Sequence, residues 1–97
     1  MPGLAALAGY NNCMDITFKL FATLTDYLPP EAKYTNQLAM QVDEGSTVQQ
    51  VVDRFHLPPK LVHLALVNGH YIAHEKRASH VLQQGDVLAV WPPIAGG

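Results

Sequence analysis

"GDVLAVWPPIAGG", residues 85–97, is the stretch on which the fold turns. Gly85-Asp86 is a turn pair, and Val87–Trp91 is an apolar run of strand length. Its natural partner lies at the other end of the chain, in "DITFKL", residues 15–20. There Ile16, Phe18 and Leu20 alternate with Thr17 and Lys19, the two-residue period of a half-buried strand. These are the two most strongly apolar strands in the sequence, so they are expected side by side in the centre of one sheet. Pro92-Pro93 then ends the last strand.

Working inward from those two strands, "FATLTDYL" loses the alternation and reads as a turn or short helix stopped at Pro29-Pro30. A second strand is expected over 34–42, with Leu38, Met40 and Val42 on one face. "DEGSTVQQVVDRF" is the clearest helix. Val48, Val51, Val52 and Phe55 fall at i, i+3, i+4 and i+7, one apolar stripe. Ser46-x-x-Gln49 and Thr47-x-x-Gln50 both fit a capping box, which leaves two candidate starts. "LVHLALVNGHYIA" reads as two strands joined at Asn68-Gly69, the pair that tight hairpin turns favour. "HEKRASHVLQQ" is polar and reads as a loop. The order strand, strand, helix, hairpin, strand predicts an α+β domain: a sheet with one helix packed across a face.

Ninety-seven residues make one domain. Hydrophobic residues are 48% and charged residues 14%, which excludes a disordered chain and suggests surface reserved for a partner. A net charge of −2 without a basic cluster argues against binding nucleic acid or an anionic membrane surface. No stretch reaches the ~20 apolar residues that span a bilayer. The single cysteine, Cys13, leaves no internal disulfide and no Cys-ligated cluster, which fits a reducing cytoplasm. Residues 1–14 carry a cleavage-like Ala6-Leu7-Ala8 but no basic start, and read as a disordered leader or extension. Residues 15–91 form the domain and 92–97 a flexible tail.

An ordered set of short stretches now stands together: "KLFATL", "GSTVQQVV", "LVNG", "LQQGDVLAV" and "PPIAGG". This set resembles the small subunits of molybdopterin synthase, ubiquitin-like sulfur carriers of the MoaD/ThiS type. The resemblance runs over residues 15–97 and departs from the family at Val87, where an acidic residue is common, and at the prolines within 25–33. It implies a β-grasp fold with a mixed sheet and one main helix. It also implies that the Gly97 carboxylate is adenylated by an activating enzyme that consumes ATP. Sulfur borne on a persulfide then displaces AMP, leaving a C-terminal thiocarboxylate. That sulfur would reach cyclic pyranopterin monophosphate within a complex with the large synthase subunit, expected as a heterotetramer. No cofactor is expected on this chain itself, which would act as the donor subunit and not as an enzyme alone.

The residue types of the tail suit that use. Gly96 and Gly97 lack a Cβ and can follow a narrow tunnel. Pro92 and Pro93 favour an extended exit, and Ile94 and Ala95 continue it. Val87, Ala89 and Trp91 share one side of the last strand and are candidates for core or for a docking patch. Leu88 and Val90 would fill the core in the second case. Two other readings stay open: a related carrier for thiazole synthesis or tRNA thiolation, and a ubiquitin-like interaction module that is never activated.

The remaining polar residues offer less. His70 and His74 would be roughly 13 Å apart along a strand, too far for one metal ion. Asp86 reads as a turn residue, and Ser46 and Thr47 as helix caps, not nucleophiles.

Overall fold

The computed structural model describes residues 13–93. Five strands form one sheet: β1 (Cys13–Leu20), β2 (Gln37–Asp43), β3 (Leu64–Val67), β4 (His70–Tyr71) and β5 (Val87–Trp91). Their order is β2-β1-β5-β3-β4. β1 and β5 run parallel, with Thr17 beside Val87 and Leu20 beside Val90, and every other pairing is antiparallel. The one α-helix among the described residues, α1 (Val48–Arg54), covers one face. This is the β-grasp, ubiquitin-like fold, with the first and last strands adjacent in the centre as their composition requires.

The alternation within each strand sets which face is buried. Met14, Ile16, Phe18 and Leu20 of β1 all turn inward, as do Leu88 and Val90 of β5, the last two completely buried. Val48, Val51 and Val52 of α1 close over them, and Phe55 lays its ring against Phe18 with centroids 4.7 Å apart. The choice of cap falls to Thr47. Its hydroxyl accepts the Gln50 N–H at 3.2 Å, and the Gln50 side chain accepts the Thr47 N–H at 2.9 Å. A helix of seven residues is held by this cap and by burial of its stripe more than by propensity.

Three expectations need correction. The second strand begins at Gln37, not at Tyr34, whose side chain is 93% exposed. Residues 34–36 are taken up by the turn into the strand, where Asn36 adopts φ 62° and its side chain donates to the Leu20 carbonyl at 3.2 Å. The first strand takes in Cys13 and Met14, which the sequence places in the leader. Met14 continues the inward phase of Ile16 and packs opposite Val42, so burial extends the sheet backward. Finally, the polar stretch 74–84 is not a surface loop throughout: Leu82 is buried, and Arg77 is only 2% exposed. Arg77 donates from its guanidinium to the Val62 carbonyl at 2.9 Å and the His63 carbonyl at 3.2 Å. A buried cation is tolerated there because a backbone carbonyl accepts from each terminal guanidinium nitrogen, while Nε has no partner among the described residues.

Two substitutions test these devices. Thr47→Ala should cost about 1 kcal/mol by removing the cap. Arg77→Met keeps the volume but leaves two carbonyls without their donor, and should cost about 2 kcal/mol. Urea denaturation of each variant beside wild type measures both.

Candidate functional site

The central strand β5 carries the C-terminal segment out of the sheet, and both of its neighbours hold it at that point. On one side the Phe21 N–H, directly after β1, donates to the Val90 carbonyl at 3.2 Å. On the other the His63 N–H, directly before β3, donates to the Trp91 carbonyl at 3.0 Å. Pro92 and Pro93 follow and have no N–H to offer, so the ladder stops there. The exit is therefore fixed in place. Trp91 is fixed as well: its indole lies flat on the Phe21 ring, centroids 4.4 Å apart and planes 3° apart. Face-to-face contact of this kind adds to the burial of both rings.

At its other end β5 is locked by the turn that starts it. Asp86, 8% exposed, accepts the Gln83 N–H and the Asn68 side-chain amide, both at 2.8 Å. Asn68 in turn accepts the Val87 N–H at 2.9 Å. Asn68 can do this because the tight turn places it at φ 51° and Gly69 at φ 84°. Asp86 is thus a structural residue of the turn, as its position suggests.

The face of the sheet away from α1 carries the docking candidates. Val87 and Trp91 are half-buried there, and Ala89 between them is 8% exposed. The register adds residues that sequence reasoning missed: Leu64 stands opposite Trp91, Leu66 opposite Ala89, and Tyr71, 60% exposed, opposite Leu66. Lys19 stands beside Ala89 from β1. Leu64, Leu66, Val87, Ala89 and Trp91 form an apolar strip across the centre of the sheet, ending at the exit, with Lys19 at its β1 border. Only strand pairing assembles it, although Phe21 lies within the "KLFATL" stretch. Ile94, Ala95, Gly96 and Gly97 lie outside the described residues.

Among the described residues, no three His, Cys, Asp or Glu side chains converge as a metal centre would need. No described helix is long and apolar enough to cross a membrane.

Comparison with known proteins agrees with the fold. A family model described as Mut7-C ubiquitin matches residues 13–95. A solution structure of the HVO 2177 protein of Haloferax volcanii superposes with TM-score 0.70 at 24% identity, covering 89% of each chain. The crystal structure of SAMP1 from the same organism gives TM-score 0.60 at 25% identity, over 86% of this chain and 99% of that one. A Pyrococcus furiosus protein assigned as molybdopterin converting factor, subunit 1, gives TM-score 0.61 at 18% identity, over 84% of this chain and 99% of that one. No curated protein sequence matches significantly.

If the stack anchors the exit, Phe21 and Trp91 are energetically coupled. A double-mutant cycle with Phe21→Leu and Trp91→Leu, read by thermal or urea unfolding, should give an interaction energy of about 1 kcal/mol. A value near zero would mean that the two rings merely lie near each other.

Proposed function

We propose that this protein, which belongs to the Mut7-C ubiquitin family, is a ubiquitin-like sulfur carrier that works through the carboxylate of Gly97. In the form we favour, it is the small, sulfur-donating subunit of a cytoplasmic molybdopterin synthase. The observation that carries the reading is the fixed exit at Trp91-Pro92-Pro93, with Ile94-Ala95-Gly96-Gly97 beyond it.

A carboxylate is a poor acyl donor, because its oxygen is a bad leaving group. Adenylation by an activating enzyme, with ATP as the co-substrate, turns that oxygen into part of AMP. The terminal sulfur of a persulfide then displaces AMP to give an acyl disulfide. A thiol attacks the persulfide carrier's sulfur in that bond, leaving with it as a disulfide and releasing Gly97 as the thiocarboxylate. The chain's own residues contribute position. Phe21, His63 and Trp91 hold the root of the tail, and Gly97 lies six residues past Trp91, a reach of roughly 20 Å. The apolar strip of Leu64, Leu66, Val87 and Trp91 is suited to seat the large subunit beside that root. Sulfur on Gly97 would then enter the partner's active site while the domain body stays outside.

A second reading takes support from the likeness to SAMP1, a small archaeal modifier protein. The same activated carboxylate would be attacked by an amine of another protein and would form an amide. Mass spectrometry separates the two. After incubation with an activating enzyme, ATP and a sulfur source, a carrier gains the mass of sulfur exchanged for one oxygen. A modifier instead appears as a conjugate, and a module that is never activated stays unchanged.

The carrier reading requires Gly97 to hold the free carboxylate in the native protein. Deleting Gly97 shortens the reach by ~3.3 Å, well beyond the ~1 Å misplacement that already costs about a hundredfold in rate. Deletion, or extension by one residue, should abolish sulfur transfer and leave the melting temperature unchanged. Transfer at the wild-type rate by either variant would overturn the reading. Val87→Asp should likewise fold, yet lose binding to the large subunit in titration calorimetry.

A further inference from the structure

The two ends of the sheet are not alike. β4 is an edge of two residues, His70–Tyr71, whereas β2 is an edge of seven. A long open edge offers unpaired backbone groups to any passing strand. On β2 the direction of those groups is fixed by the bond from the Leu20 N–H to the Asn36 carbonyl at 3.1 Å. Counting on by twos, Leu38, Met40 and Val42 turn their backbone toward β1. Gln37, Ala39, Gln41 and Asp43 turn theirs outward.

Three of those four outward carbonyls are already occupied by the chain itself. The Arg54 guanidinium donates to Gln41 at 3.0 Å and the Ser46 N–H to Asp43 at 3.0 Å, while the Thr35 hydroxyl shares its one proton between the Gln37 and Ala32 carbonyls, both at 3.3 Å. Ala39 alone has both its N–H and its carbonyl open among the described residues. The sequence around it, Gln37-Leu38-Ala39-Met40-Gln41, reads alike in kind in both directions. That symmetry matches one partner in particular: the same strand related by a two-fold axis.

We propose that β2 is a self-pairing edge for a second copy of this chain, and that Arg54 holds it shut. With the axis at Ala39, the two copies of that residue exchange both backbone hydrogen bonds. Gln37 then faces the partner's Gln41, and Leu38 faces the partner's Met40, bringing together two half-buried apolar pairs. The obstacle is specific. The Gln37 N–H of the incoming copy needs the Gln41 carbonyl, and Arg54 occupies that carbonyl from α1 while placing its charged side chain along the edge. Removing Arg54 frees one acceptor on each copy. The exit at Trp91 lies two strands away, so this pairing neither uses nor blocks the face proposed for sulfur transfer.

Sedimentation equilibrium of the full chain tests the proposal. Wild type should remain monomeric where Arg54→Ala dimerises. The dissociation constant should fall at least about tenfold, the equivalent of one to two restored hydrogen bonds. Arg54→Met, which keeps the aliphatic stem and has no donor for the Gln41 carbonyl, should behave alike if the alanine variant melts early. Arg54→Ala combined with Ala39→Pro should return to monomer. The proline removes an outward N–H and leaves the β1–β2 ladder intact. Circular dichroism verifies that each variant is folded. Three results would overturn the proposal: a folded Arg54→Ala as monomeric as wild type, a double variant that still dimerises, or a wild type that dimerises equally well.

Discussion

Everything in this molecule depends on the parallel contact between β1 and β5. It joins residues from opposite ends of the chain, Thr17 with Val87 and Leu20 with Val90. Closing so long a loop is entropically costly, and a parallel ladder compensates only if both strands are well covered. The cover comes from α1, whose three valines lie over Phe18, Leu20, Leu88 and Val90, all without measurable exposure. The remaining strands are then placed by default. β2 adds to one side of this pair, and the β3–β4 hairpin adds to the other.

That arrangement has a functional consequence. A last strand at the centre of a sheet is gripped on both sides up to its final carbonyl, so the residues beyond it leave from a fixed point. Trp91 marks that point: it is stacked on Phe21 from the β1 side and bound through its carbonyl by His63 from the β3 side. His63 is tied further back, because its own carbonyl accepts from buried Arg77. The exit of the tail thus rests on backbone bonds and on one buried cation, with no metal centre among the described residues. Family membership and fold place the chain among ubiquitin-like proteins.

The two faces and two edges of the sheet are finished differently. The α1 face is closed by apolar packing, and the opposite face keeps a half-buried strip of Leu64, Leu66, Val87 and Trp91. One edge is kept short. The other is long, and the neighbouring Thr35 hydroxyl, the Ser46 N–H and the Arg54 side chain from α1 lie on three of its four outward acceptors. A sheet of this size must prevent unwanted pairing by such means, since an uncovered edge is a template for association.

The sequence by itself determined the period of β1, the stripe of α1 and the hairpin at Asn68-Gly69, while it left open which side of β5 is core, a choice that burial of Leu88 and Val90 makes. The first three are written in neighbouring residues: alternation, i+3/i+4 spacing, or a turn pair that tolerates positive φ. It also carried the tail, whose glycines and prolines are conspicuous without any structure. Only tertiary contact could decide the rest. Thr47 prevails over Ser46 as cap because the Thr47 carbonyl and side chain meet the first turn while Ser46 bonds back to Asp43 and onward to Leu82. Tyr34 is excluded from β2 by a left-handed Asn36, which Leu20 holds from another strand. Arg77 is buried within a polar stretch because carbonyls from residues 62 and 63 happen to meet it there. In each case the deciding partner lies more distant in sequence than any local pattern extends, or competes with a neighbour of equal propensity. Periodicity reports which face of an element is apolar; it does not report what that face, or a polar group beside it, will meet.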